Sequence, residues 1–430
     1  MPKMKAGPAK SKIVAKTPAA AKSQAKKAAR PTPEVGSVDK KARLAAITAN
    51  INKQYGQEVI RNACEMSSTY LLRRPTGILS LDIGLGGGFP ASAPSVIVGP
   101  DGAGKDYLLW KICAESQKIY GDDFAMAVYL TEFRLDKKYM KDKCGLKIGM
   151  SDAELDEEDR ARVEAKLPPL TEEERAYYAE QVGDIYVITG VTAEEGLDAI
   201  IAYVQSNACQ IVAVNSIGFF QTEAKENTDS FKEFAQQRNE AMLLSKFMPK
   251  LAMTLNRDVG PGERNETTVL LINQVRAKDQ MGRPMHGRPL QDRDKYQSAS
   301  NSWALKHGKA IELMIHNGKK HYDEAAGKLI GREKNWTLTK GKLGTHEGVS
   351  GSFDYWFEIG VDVLEDTIRT AKYLGVLETS GAWLSYTHDT YGFKAQGEDR
   401  ARQYLQEHPE LVDHLNEMCL RAAKVVCRYR

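Results

Sequence analysis

No apolar run in the 430 residues reaches the roughly 18 needed to span a bilayer, which excludes a helical integral membrane protein. The six cysteines (Cys64, Cys113, Cys144, Cys209, Cys419, Cys427) include no CxxC pair. That argues against a zinc ribbon and a disulfide scaffold and fits a reducing cytoplasm. The basic N-terminus lacks a following apolar segment, so no secretory signal is expected. Acidic residues are missing from positions 1–33, where eight lysines and Arg30 give a charge of +9. The net charge of the whole chain is only +3, so the remainder sums to −6. Residues 1–37 are dominated by Ala, Lys, Pro, Ser and Thr, too few apolar groups to offset the entropy of ordering, and a disordered basic tail is expected there. Spaced lysines on such a tail suit phosphate neutralisation independent of base sequence; a solubilising role fits them equally well.

What is present has a clear order. Leu44, Ala45, Ile47, Ile51 and Tyr55 recur at helical spacing between Lys40 and about Gly56. The glycine-rich PTGILSLDIGLGGGFP leads to a β-branched run at Ser95–Val98, then GPDGAGKD, then the helically periodic YLLWKICAESQKIY. Strand, Gly-rich loop and helix is the order a phosphate-binding βα unit requires. Further β-type runs stand at Ala125–Leu130, Ile185–Thr189, Ile211–Val214 and Val269–Ile272, and helical patterns, notably at Ala193–Gln205 and Lys232–Leu255, separate most of them. The alternation predicts an α/β fold with a mostly parallel sheet covered on both faces. Residues 151–176 form an acidic, helix-prone block that interrupts it, read as a surface insertion: a solvated helix or a partner site.

Gly99, Pro100, Asp101, Gly102, Ala103, Gly104 and Lys105 satisfy GxxxxGK. The glycines let backbone N–H groups turn inward as an anion nest, Lys105 reaches the terminal phosphates, and the positive end of the next helix points at the same place. Two positions depart from the motif. A neutral hydroxyl normally follows the lysine as a magnesium ligand, and here Asp106 stands. The apolar strand Ile211–Val214 would normally end in an aspartate facing the metal, and here it ends in Asn215. The site has gained one carboxylate and lost another. Asp106 taking over part of the Mg2+ coordination would leave the formal charge unchanged; the alternative is that it repels the phosphates and slows hydrolysis.

Taken together these motifs resemble the RecA family of DNA recombinases, including its phage relatives, from about Asp39 into the C-terminal region. The resemblance implies a P-loop RecA-like ATPase core with a mostly parallel sheet, an N-terminal helix and a small α/β C-terminal domain. It divides the chain into the tail (1–37), a polymerisation helix and linker (38–74), the ATPase core (75–354, with the insertion 151–176) and the C-terminal domain (355–430). In VYLTEFRLDKKYMKDKCG, Glu132 falls where the family keeps the glutamate that orients the attacking water, and Asp136 and Tyr139 where it contacts adenine. In VLLINQVRAK, Gln274 matches the γ-phosphate sensor; in WTLTKGKLG, Lys340 and Lys342 match a pair that reaches the neighbouring subunit's nucleotide. Two apart on one strand, these lysines would face the same side. GAWLSY and YLQEHPELVDHL look like the family's C-terminal domain.

After Gln274 the chain runs through Arg276, Lys278, Arg283, Arg288, Arg293 and Lys295 in a Gly-, Pro- and Met-rich stretch, with no packed element expected before about Ser302. Its position corresponds to the family's second DNA-binding loop, and basic, pliable backbone suits phosphate tracking along a single strand. The first such loop is expected at Glu223–Phe234.

The implied activity is that of a DNA-dependent ATPase, with ATP and Mg2+ as cofactors and the departures at Asp106 and Asn215. Subunits would form a helical filament on single-stranded DNA in the cytoplasm and pair it with homologous duplex DNA in recombination and repair. The alternative is a hydrolysis-impaired filament protein that binds nucleotide and single-stranded DNA as a coat.

Overall fold

The computed structural model describes residues 40–55, 59–60, 71–132, 135–223, 236–260, 263–277, 296–298, 302–323 and 325–425. The chain falls into two compact units, Met1–Ser67 and Ser68–Arg430. In the first, helix α1 (Lys40–Tyr55) has no buried residue, and Asn52 exchanges two hydrogen bonds with the Ile60 backbone, each 2.9 Å. The tail lies outside the described residues. Among the described residues no helix is long and apolar enough to cross a membrane.

The second unit is an α/β fold. Its helices are α2 (Leu79–Gly84), α3 (Lys105–Tyr120), α4 (Lys137–Cys144), α5 (Asp152–Glu164), α6 (Glu172–Ala179), α7 (Ala193–Ser206), α8 (Gln236–Leu255), α9 (Trp303–Gly308), α10 (Val363–Tyr373), α11 (Glu398–Glu407) and α12 (Pro409–Ala422). The strands of its central sheet are β1 (Pro94–Gly99), β2 (Ala125–Leu130), β3 (Asp184–Ile188), β4 (Ile211–Asn215), β5 (Thr268–Ala277), β6 (Tyr296–Ser298), β7 (Ile311–Tyr322), β8 (Leu329–Lys340), β9 (Ser350–Trp356) and β10 (Gly360–Val361). They lie in the order β10-β9-β8-β7-β1-β5-β4-β2-β3, with β6 paired to β5. Neighbours from β7 through β3 are parallel; β8, β9 and β10 add an antiparallel extension.

Side chains alternate across the sheet with a period of two. Ile97, Met126, Val128, Ile211, Ala213, Leu270 and Ile272 pack on the face that carries α3. Val96, Val98, Ala127, Val212, Val214, Val269 and Leu271 pack on the face that carries α7 and α8. Near-continuous apolar strands are what a parallel sheet buried on both sides requires.

The acidic insertion is a pair of helices, α5 and α6. Each opens with a reciprocal capping box, Ser151 with Glu154 and Thr171 with Glu174. Arg175 joins them by pairing with Asp156 at 2.8 Å and with Asp159, and Lys137 ties α4 to Glu154 at 2.8 Å.

Two expectations are corrected. The segment after Gln274 acquires a strand, β6, well before Ser302: Tyr296 pairs with Ala277 and Ser298 with Val275. β5 runs on past the last residues that β1 and β4 pair, Gln274 and Ile272, and the backbone groups beyond them recruit β6, a demand that glycine and proline content does not reveal. Lys340 and Lys342 do not share a strand, because β8 ends at Lys340 and Lys342 lies in the turn that follows, where its carbonyl accepts from Thr345 N–H at 3.3 Å.

C-terminal to the sheet, strands β11 (Glu378–Ser380), β12 (Trp383–Tyr386) and β13 (Phe393–Gln396) form an antiparallel meander. With α10, α11 and α12 it encloses its own core of Ile368, Leu384, Phe393, Leu405 and Leu415, joined by Leu79 of α2.

Candidate active site at the phosphate loop

Strand register assembles the site. Gly99 at the end of β1 lies opposite Gln274 of β5, and Asn215 at the end of β4 lies opposite Leu130 at the end of β2. The carboxyl ends of four parallel strands therefore meet at one edge, where open α/β sheets place their ligands.

The loop leaves β1 at Gly99, where a Cβ would come 2.4 Å from Ile315 O of β7. Gly102 (φ +65°) and Gly104 (φ +98°) adopt left-handed backbone, which costs a β-carbon residue strain. Gly104 precedes α3, so the unpaired N–H groups of that helix face the loop. Asp101 Oδ1 accepts the Gly102 N–H at 2.9 Å. Lys105, nearly buried, folds back to donate to Pro100 O at 2.9 Å. Desolvation lowers its pKa, while Asp106, Asp101 and Glu132 oppose the shift.

Glu132 stands two residues past β2. Its Oε1 accepts from Gln274 Nε2 at 3.0 Å and from the Ser216 hydroxyl. Ser216 is itself held to Thr131, whose Oγ1 accepts the Ser216 N–H at 2.9 Å and donates to the Ser216 carbonyl at 2.9 Å. Two donors thus fix one oxygen of the carboxylate, and among the described residues none bonds Oε2. A carboxylate so oriented can accept a proton from a water beside the terminal phosphate.

Asn215 Nδ2 donates to Asp106 Oδ1 at 3.1 Å. The two departures from the motif therefore touch. Desolvation by the walls of the site raises the Asp106 pKa, although the side chain reaches solvent, while Lys105 and the Asn215 hydrogen bond pull it down. Beside them lies a cavity of about 140 Å³ lined by Asp106, Trp110, Glu132, Asp136, Tyr139 and Asn215. The remaining Asp106 oxygen and the Asn215 amide oxygen are hard donors, and with phosphate oxygens and water they make a set that suits Mg2+. A bound Mg2+ would neutralise developing phosphate charge.

Asp136 caps α4 by accepting the Tyr139 N–H at 2.9 Å. The Tyr139 hydroxyl lies 3.2 Å from that of Tyr355, whose ring meets Tyr107 edge-on at 4.9 Å. Burial pushes the Tyr139 pKa well up.

Two stretches of this chain match family models: residues 42–155 the RecA N-terminal domain and residues 366–424 the RecA C-terminal domain. Protein RecA of Aquifex aeolicus is 26% identical over 388 residues, 90% of this chain and 94% of that protein. Protein RecA of Thermus aquaticus is 25% identical over 390 residues, 90% of this chain and 96% of that one. The chain belongs to the RecA family. Among solved structures, the RadB recombinase aligns with a TM-score of 0.39 at 17% identity, over 67% of this chain and 98% of that chain.

Within this RecA-family fold, Lys105, Asp106, Glu132, Asn215, Gln274, Asp136 and Tyr139 converge at one sheet edge. Lys340 does not join them. It pairs in register with Glu312, which pairs with Val96 near the start of β1, and its Nζ donates to Lys306 O at 2.6 Å and His307 O at 3.3 Å. Arg276 sits on β5 two residues past Gln274, its side chain not described. Lys278, Arg283, Arg288, Arg293 and Lys295 lie outside the described residues, as does 224–234 of the first expected DNA loop. Sequence reasoning missed Ser216 and Tyr355. The Ser following Asn215 was a weak signal for the first; a tyrosine within an antiparallel strand offered none for the second.

Proposed function

We propose that this RecA-family chain is an ATP-dependent recombination protein whose copies assemble on single-stranded DNA and pair it with homologous duplex. The observation that carries this reading is the Gln274–Glu132 hydrogen bond. Gln274 lies on β5, which ends at Ala277 immediately before the basic segment 278–295, so a change of its partner is passed along the strand to that segment. With ATP bound, Gln274 turns to the terminal phosphate and leaves Glu132 to orient water. Lys105 and the loop N–H groups hold the phosphates, Asp106 and Asn215 face Mg2+, and Asp136 and Tyr139 flank the base.

Assembly is supported by two further features. Lys340 lies away from the loop of its own chain, so a role at a nucleotide requires a second copy. Among the described residues, strand β3 closes the sheet with an unpaired edge on which Tyr186 is 46% and Val187 38% exposed, a surface a second copy can extend. A head-to-tail contact of that kind does not close and builds a helical filament.

The test is ATP hydrolysis with and without single-stranded DNA, in the wild type and in Lys105→Ala, alongside electron microscopy of the DNA complex. DNA-stimulated turnover lost in the variant, with filaments on the strand, is the expected result. Turnover indifferent to both DNA and Lys105 would refute the reading. A non-hydrolysing coat is the second reading, favoured by Asp106 Oδ1 being already bonded to Asn215; nucleotide-dependent filaments without turnover would select it.

A further inference from the structure

A second buried lysine approaches the phosphate loop from behind. Lys334, in the middle of β8, is 4% exposed. Its Nζ donates to Gly102 O at 2.8 Å and to Asn317 Oδ1 of β7 at 2.7 Å. The Tyr355 ring centroid lies 5.4 Å from the ammonium, and a Cβ on Gly104 would come 3.8 Å from Lys334 Cε. Among the described residues no carboxylate pairs with this amine. Burying an ammonium against neutral acceptors is costly, and an apolar side chain of similar length would fill the same space without that penalty. The charge therefore calls for a negative partner that arrives.

Gly102 C=O and Ala103 N–H belong to one planar trans peptide and point in opposite directions. Gripping the carbonyl from β8 turns the N–H toward the other side of the loop, where it bonds Pro100 O at 3.3 Å beside Lys105 Nζ at 2.9 Å. We propose that Lys334 is a positioning residue for the nucleotide, fixing the Gly102–Ala103 peptide from within the same chain and placing a buried positive charge behind a bound triphosphate. The inference rests on the reading of Gly99–Lys105 as the nucleotide site.

Burial, with Arg332 and Lys105 nearby, lowers the Lys334 pKa to about 8. The groups around it are Lys105 from α3, Arg332 on its own strand, Tyr355 from β9, neutral Asn317 from β7, and Asp101 on the loop, whose carboxylate is turned to the Gly102 N–H. A triphosphate raises that pKa, so binding above pH 8 takes up a proton and affinity falls as pH climbs further.

The experiment is calorimetric titration of the full chain with a non-hydrolysable ATP analogue and Mg2+ at pH 8.5, in buffers of unequal ionisation enthalpy. The wild type takes up a proton fraction. Lys334→Met binds about tenfold more weakly, the loss of one charge-assisted hydrogen bond, and takes up none of that fraction. Lys334→Arg recovers the affinity and likewise takes up none, a split that a merely structural role would not produce. Wild-type affinity and wild-type proton uptake in Lys334→Met would overturn the proposal. If that variant does not fold, Lys334→Arg decides, and proton uptake retained there overturns it. Wild-type affinity in Lys105→Ala would instead refute the nucleotide site itself.

Discussion

Gln274 Nε2 and Glu132 Oε1 are 3.0 Å apart although 142 residues separate them in sequence. The bond exists because β5 and β2 both end at the edge where the phosphate loop begins, with β4 between them. It couples a group that can activate water to the strand that enters the basic segment.

Replacing Glu132 by Gln keeps the shape and both donors nearby but removes the proton acceptor. We expect kcat to fall about 100- to 10,000-fold with nucleotide affinity nearly unchanged. Single-turnover hydrolysis beside equilibrium binding checks this, and equal losses in both would assign Glu132 to binding.

The Asp106–Asn215 contact predicts a compensating pair. Asp106→Thr alone removes the carboxylate and raises the Mg2+ concentration needed for half-maximal nucleotide binding. Adding Asn215→Asp restores the usual motif and recovers most of the loss, with a coupling of about 0.5–3 kcal/mol in the double-mutant cycle. Strict additivity of the two substitutions would show that the residues do not share an ion.

On the edge strand, Val187→Lys places a charge on a surface exposed in the single chain. Stability should change by no more than about 0.5 kcal/mol, while assembly is lost. Light scattering with single-stranded DNA, next to thermal melting, separates the two effects. Unaltered assembly would remove β3 from the interface.

Asp82 is buried, and its carboxylate accepts from Thr76 N–H at 2.7 Å and Gly77 N–H at 3.1 Å. Desolvation outweighs these bonds and carries its pKa from 3.8 to about 7. Between those values the folded chain holds a proton that the unfolded chain has released, so this residue's contribution to stability falls as pH rises and is flat beyond about 7. The difference in stability between wild type and Asp82→Asn, followed by denaturant unfolding from pH 4 to 8, should show that slope. A difference that does not vary with pH would contradict it.

Local patterns were legible where a single stretch of chain suffices. The limits of β2 agree with the β-type run Ala125–Leu130, and α7 starts beside the run expected at Ala193, where Thr192 and Glu195 form a capping box. The phosphate loop was readable because glycine spacing, a preceding strand and a following helix are all local. Strand β7 and the full length of β8 were not anticipated, although a strand around Lys340 was: their polar and apolar residues alternate irregularly, and the register between them shifts at Asn317–Lys320.

By itself the sequence determined the glycine-rich loop between a strand and a helix, the alternation of strands and helices, and the presence of Asp106 and Asn215 where a hydroxyl and a carboxylate would ordinarily stand. Only the tertiary structure decided that those two side chains touch, that Ser216 and Gln274 grip the same oxygen of Glu132, and that Lys334 holds the loop from behind. Backbone conformation is governed by neighbours a few residues away, whereas these contacts depend on strand order and register. Those in turn follow from the burial of both sheet faces at once, which no short segment encodes.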